Sequence, residues 1–104
     1  MLSPLQLAYI GDAVYELLVR TYIMEKGLNV NQLHKKTTEY VKADAQSEII
    51  HYLEESLTED ERALVKRGRN AKTNTSPKNS SMIDYKYATG FESLFGYLYT
   101  WIIW

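Results

Sequence analysis

The stretch Ser3-Pro4-Leu5-Gln6-Leu7-Ala8-Tyr9-Ile10-Gly11-Asp12-Ala13-Val14-Tyr15-Glu16-Leu17-Leu18-Val19-Arg20-Thr21-Tyr22-Ile23 reads as one long helix, and it decides the fold class. Ser3 suits the N-cap, Pro4 brings its fixed φ to the first helical position, and Gln6 stands three residues after the cap, where its side chain can reach back. The helix is expected to run to about Lys26, with Gly27 as its C-terminal stop. Leu5, Leu7, Ala8, Ile10, Ala13, Val14, Leu17, Leu18, Val19, Tyr22 and Ile23 cover most of its circumference, which predicts a central, buried helix. Asp12 is then an acid in nearly all-apolar surroundings, and a carboxylate buried there without a partner is costly.

Working outward, Asn31 reads as the cap of a second helical stretch carrying Leu33, Tyr40, Val41, Ala45, Ile49, Ile50 and Leu53 to about Glu55, with a bend near Ala43. Thr58 followed by Glu61 is a capping box that opens a short helix ending near Gly68. Asn70 to Ser81 has the Asn, Thr, Ser and Pro content of a loop. A last helix beginning near Ser81 or Asp84 carries Ile83, Tyr87, Phe91, Leu94, Phe95, Leu98 and Ile102. No alternation of period two persists, so the expected fold is all-α, and residues 1–104 read as one domain without repeats or a linker.

Composition agrees with a globular chain: of 104 residues, 45% are hydrophobic and 24% charged, with nine Tyr against two Phe and two Trp. The lack of cysteine excludes a disulfide scaffold and a Cys-based zinc site. The start shows no basic segment followed by an apolar core, and the apolar run from Phe91 to Trp104 is interrupted by Glu92 and shorter than the ~20 residues of a membrane span. The chain is therefore expected in the cytoplasm and off the membrane. A formal net charge of -1 does not advertise nucleic-acid binding, but the basic residues are gathered into a local positive patch on a neutral body. Arg62, Lys66, Arg67, Arg69, Lys72 and Lys78 are half of the twelve Lys and Arg residues, and no acid interrupts them.

Two motifs carry chemistry. Tyr9-Ile10-Gly11-Asp12-Ala13-Val14 and Gly90-Phe91-Glu92-Ser93-Leu94-Phe95-Gly96-Tyr97-Leu98 each set one carboxylate among small and apolar neighbours. If the first and last helices pack side by side, Asp12 and Glu92 can share one Mg²⁺ through hard oxygen ligands, leaving positions for water and phosphate. Spacing alone leaves the blander readings open: a structural salt bridge or a helix cap at each acid.

Four segments in order resemble the Mini-ribonuclease III family: Ala8 to Glu16, Leu33-His34-Lys35-Lys36, Lys66-Arg67-Gly68-Arg69-Asn70-Ala71-Lys72, and Tyr85 to Leu98. That family is a ribonuclease III catalytic domain, a helical bundle without the attached double-stranded RNA-binding domain. The resemblance implies a Mg²⁺-dependent endoribonuclease cutting double-stranded RNA, associated with trimming the large-subunit ribosomal RNA precursor. It makes Asp12 and Glu92 the metal-binding, catalytic acids. Two further acids of the wider ribonuclease III pattern are replaced here by Ala8 and Thr89, as in the Mini branch. The family usually continues with another helix after Gly-Tyr-Leu, so the C-terminal helix is expected to be shortened at Trp101-Ile102-Ile103-Trp104.

The same resemblance assigns supporting roles. Lys66, Arg67, Arg69, Asn70, Lys72 and Lys78 suit the phosphates and 2′-hydroxyls of A-form RNA, with Lys35 and Lys36, beside His34, a weaker candidate for the strand backbone. Read without the family, the basic run is a solvated loop. Glu16 and Thr89 stand beside the acids; Glu16 either orients a metal-bound water or pairs with Arg20 at i, i+4. A symmetric homodimer would place one site on each strand of a duplex, with Tyr9 either a wedge into the partner or ordinary core. Trp101 and Trp104 at an apolar terminus point to a covered surface. An accessory ribosomal protein is a further expected partner. The competing functions are a non-catalytic RNA-binding or ribosome-associated module with the same fold, and a helical dimerisation module that binds no RNA.

Overall fold

A computed structural model describes residues 2–24, 27–72 and 81–103. Five helices account for most of them: α1 (Pro4–Met24), α2 (Val30–Val41), α3 (Ala43–Leu53), α4 (Glu59–Asn70) and α5 (Met82–Ile103), with a 3₁₀ turn at Glu54–Ser56. There is no strand among the described residues, and the expected all-α class holds. None of these helices is long and apolar enough to cross a membrane.

Local chemistry sets the boundaries. The Ser3 hydroxyl accepts from the Gln6 N–H at 3.2 Å while the Gln6 side chain accepts from the Ser3 N–H at 2.9 Å, the expected reciprocal cap. Gly27, with φ of 66°, adopts the left-handed conformation expected beyond the helix end, although α1 is described only to Met24 and Lys26 lies outside the described residues. The second helix starts earlier than expected. Asn29, not Asn31, caps it, because Gln32 three residues on completes a capping box that Asn31 lacks. The expected bend near Ala43 is a full break: Lys42 is extended, with ψ of 155°, and α3 begins at Ala43. The Thr58 and Glu61 box opens α4 as expected. The helix continues past Gly68 to Asn70, and α5 begins at Met82 with the Ser81 hydroxyl on the Asp84 N–H.

α5 is the hub, packed against α1, α4 and α3. Tyr15, Val19, Ile23, Ile50, Val65, Phe91 and Leu94 form the core, and Tyr15, Phe91 and Phe95 meet edge-to-face at centroid distances of 4.8 to 5.4 Å. Burying a side chain such as Phe91 stabilises the fold by roughly 2–3 kcal/mol. The buried Tyr15 hydroxyl is satisfied by donating to the Tyr40 carbonyl of α2.

The helices approach closely enough to exclude side chains at four glycines. A Cβ on Gly11 would overlap the Glu92 carbonyl, and one on Gly96 the Leu7 carbonyl, so α1 and α5 touch backbone to backbone at two levels. Gly68 and Gly90 make the equivalent close approach between α4 and α5. Gly68 was expected to stop its helix; it lies inside because its missing side chain serves packing, not termination.

One expectation about α1 is overturned. Its buried stripe is Leu7, Ala8, Gly11, Tyr15, Val19 and Ile23, while Leu5, Tyr9, Leu17, Leu18, Tyr22 and Met24 are exposed. The helix is apolar nearly all round, but this chain has neighbours for only part of its circumference.

Candidate active site

Asp12 follows Gly11 on α1, and Glu92 sits on α5 at the level where those helices touch. The near-contact of backbones places the two carboxyl groups side by side, from positions eighty residues apart in the chain. Asp12 is exposed and Glu92 half-buried, so the pair opens to solvent on the Asp12 side and is enclosed on the other. This corrects the expectation that Asp12 is a buried acid: it lies at the rim of the exposed face of α1.

Burial, the neighbouring Asp12 charge and a hydrogen bond shared with Asp12 together push the Glu92 carboxyl up to about 8, while a hydrogen bond from Gln46 pulls the other way. Two carboxyl groups, one of them reluctant to ionise because it is buried and because the other is beside it, form a hard-oxygen donor set that a divalent cation would complete by supplying the missing positive charge. Among the described residues no third His, Cys, Asp or Glu joins them. Ala8, at one place where the wider family has an acid, is buried, and the Thr89 hydroxyl at the other donates to the Tyr85 carbonyl at 3.0 Å.

Gln46 on α3 is the site residue that sequence reading missed. It is only 2% exposed, and its side-chain amide donates to the Val41 carbonyl at 2.7 Å and to Glu92 Oε2 at 3.4 Å. A signal existed. Gln46 shares a helix face with the apolar Ile49, Ile50 and Leu53 at i+3, i+4 and i+7, where an amide has no packing reason to be. Ser93, fully buried beside Glu92, donates to the carbonyls of Pro4 and Thr89, tying the start of α1 to α5.

The remaining residues fall into separate groups. Glu16 forms an ion pair with Arg20 at 2.8 Å on the surface of α1. Lys66, Arg67 and Asn70 are exposed in the last two turns of α4, and Lys72 is exposed just beyond it, so much of the expected basic loop is helix. Arg69 differs from its neighbours: its guanidinium donates to the Tyr87 hydroxyl at 2.6 Å, and the Tyr87 ring also stacks on His51 at 4.1 Å. Lys78 and Trp104 lie outside the described residues. Lys35 and Lys36 are exposed on α2, Lys36 near Glu39 at 3.7 Å, and His34 beside them is exposed as well.

Along the exposed side of α1 runs an apolar groove of about 730 Å³, with Asp12 at its edge and Tyr9, Leu17, Leu18, Leu98 and Ile102 among its walls. Tyr9 is 84% exposed, so it is not core of this chain.

The ribonuclease III domain model matches residues 5–100. The Mini-ribonuclease 3 of Clostridium tetani is 58% identical over 100 residues, which are 94% of this chain and 66% of that protein. The Mini-ribonuclease 3 of a Thermoanaerobacter species is 56% identical over 99 residues, which are 94% of this chain and 70% of the relative. The chain thus spans about two thirds of the length of these curated relatives. A crystal structure of a Fusobacterium nucleatum protein, 34% identical, superposes with a TM-score of 0.91, covering 95% of this chain and 81% of the other. With the family's fold and its two expected acids brought together between α1 and α5, the chain belongs to the ribonuclease III domain family, in its Mini-ribonuclease 3 branch, and is of the endoribonuclease class.

Proposed function

We propose that this chain is the catalytic domain of a Mg²⁺-dependent endoribonuclease that cuts double-stranded RNA as a homodimer, acting in the cytoplasm on the large-subunit ribosomal RNA precursor. The observation that carries the reading is the convergence of Asp12 and Glu92 at a point open to solvent, with Glu92 pushed up to about 8. A bound Mg²⁺ supplies an activated water and charge stabilisation at the scissile phosphate. The chain's own part is to hold that ion and aim it. Asp12 faces the solvent from which RNA approaches, and Glu92, anchored on the helix that packs against α1, α3 and α4, provides the fixed wall of the site. In the absence of a cation Glu92 keeps its proton near neutral pH, so the resting site does not carry two full negative charges toward an RNA backbone.

Lys66, Arg67, Asn70 and Lys72 offer exposed donors in a row at the end of α4, suited to phosphates and not to base edges. Basic residues in a last helical turn also complement the helix dipole, and Arg67 serves both purposes. The apolar groove beside Asp12 is the surface a second copy would cover, with Tyr9 as its most exposed aromatic. Two-fold pairing through it would set two acid pairs against the two strands of one duplex. An accessory ribosomal protein acting on the precursor completes the proposal.

The decisive assay incubates the protein with structured ribosomal RNA precursor and Mg²⁺, with and without large-subunit ribosomal proteins. Staggered cuts are expected, reduced at least ~100-fold in Asp12→Asn, in line with removal of a group essential to the transition state. Retention of RNA without cutting would replace the proposal by an RNA-binding module, and neither cutting nor retention by a dimerisation module.

A further inference from the structure

We propose that Gln46 is a positioning residue of the site: its buried amide holds the Glu92 carboxylate from α3, so that divalent cation binding at Asp12 and Glu92 depends on it. This rests on the reading of those acids as the cation-binding pair. The Gln46 amide has two N–H groups, and both are engaged, one by the Val41 carbonyl at the end of α2 and the other by Glu92 Oε2. The orientation follows from those neighbours. A flipped amide would set its oxygen against the Val41 carbonyl at 2.7 Å, acceptor against acceptor in a buried place.

Capping Val41 needs only one of the two donors. The carbonyls of a last helical turn lack intrahelical partners, and the break at Lys42 leaves Val41 among them, so one N–H has a structural use. The second N–H does not. Moreover, Gln46 Oε1 is buried with no hydrogen-bond partner among the described residues, an unfavourable condition that an apolar side chain of similar volume would relieve. A buried amide kept at that cost, directed at an acid of the site, has a use that packing does not supply. Glu92 shares a hydrogen bond with Asp12 on the solvent side, and the Gln46 donor fixes it from the α3 side. The chain Val41, Gln46, Glu92 thereby couples the junction of α2 and α3 to the geometry of the site.

The test reads cation binding apart from RNA cleavage. In the native protein the Gln46 side-chain amide resonances are followed during titration with Mg²⁺ alone. They are expected to shift with the Kd of the Mg²⁺ isotherm, and to stay fixed in Glu92→Gln. An amide that does not respond in a protein that binds Mg²⁺ overturns the inference; a native protein that binds no Mg²⁺ overturns the cation reading beneath it. Gln46→Met, which keeps the volume, is expected to weaken Mg²⁺ binding about tenfold and to lower kcat by about tenfold or more, as loss of an outer partner of a metal ligand does. Its KM for RNA should stay within about twofold, because the groups that meet phosphate are untouched. A folded Gln46→Met with native Mg²⁺ affinity and kcat shows a role in packing alone, and if that variant does not fold, the titration of the native amide decides.

Discussion

Glu92 is the residue whose chemistry departs furthest from its ordinary behaviour. Its carboxyl is raised from 4.5 to about 8 by burial and by Asp12. Between those values the folded protein holds a proton that the unfolded chain has released. The contribution of Glu92 to stability is therefore greatest below about pH 4.5, falls as pH rises, and levels off above about pH 8. Glu92→Gln cannot ionise and escapes that loss. In EDTA, denaturant unfolding of the two proteins should agree near about pH 4 and differ by on the order of 3 kcal/mol in favour of the variant near about pH 8.5. Parallel curves would show that Glu92 ionises normally. The same proton makes a second measurement: Mg²⁺ uptake near neutral pH should release about one proton per site, seen as a calorimetric enthalpy that changes with the buffer.

At the scale of the helices, glycine spacing decides what can touch. Gly96→Ala must push α5 away from the Leu7 carbonyl, parting the two helices that bear Asp12 and Glu92. A loss of about 3 kcal/mol or more in urea unfolding is expected, with cleavage falling as well. Gly27→Ala is the control. Its Cβ would meet nothing within 4 Å, and only the φ of 66° is unfavourable, so about 1 kcal/mol is expected with cleavage unchanged. Equal costs at the two positions would mean that the close approach of α1 and α5 does not hold. Gly68 illustrates how sequence reading of such positions misleads: a glycine near a helix end has the same appearance whether it serves a turn or a neighbouring backbone, and only the presence of Gly90 opposite it distinguishes the two.

For the whole molecule, the exposed half of α1 and the basic end of α4 carry the remaining predictions. Leu17 is 65% exposed and Ile102 81%, which is a large apolar area for a chain of 12.1 kDa. Light scattering is expected to give about twice the chain mass for the native protein and the single chain mass for Leu17→Asp, whose charge would be buried at the interface. A native monomer at tens of micromolar would sink the dimer reading. RNA retention by the Asp12→Asn protein should weaken steeply with salt. Replacing Lys66 and Arg67 by Ala should flatten the slope of log K against log salt by about 1.5–2, because about two fewer phosphates are then neutralised. An unchanged slope would remove α4 from the RNA surface.

The amino-acid sequence alone determined the helical class and most helix boundaries, because caps and apolar periodicity act over a few positions and are legible locally, and its motifs singled out Asp12 and Glu92 as candidates. The exposed side of α1 was not legible, since an apolar residue looks the same whether its own chain or another surface covers it. Nor was Arg69 separable from Lys66 and Arg67 until Tyr87 stood beside it. The site itself belongs to the tertiary structure. Backbone contact at Gly11 and Gly96 sets the distance between the acids, and the break at Lys42 turns α3 so that Gln46 meets Glu92. Those effects arise from groups 46 to 89 residues apart, and no local pattern encodes where such groups meet in space.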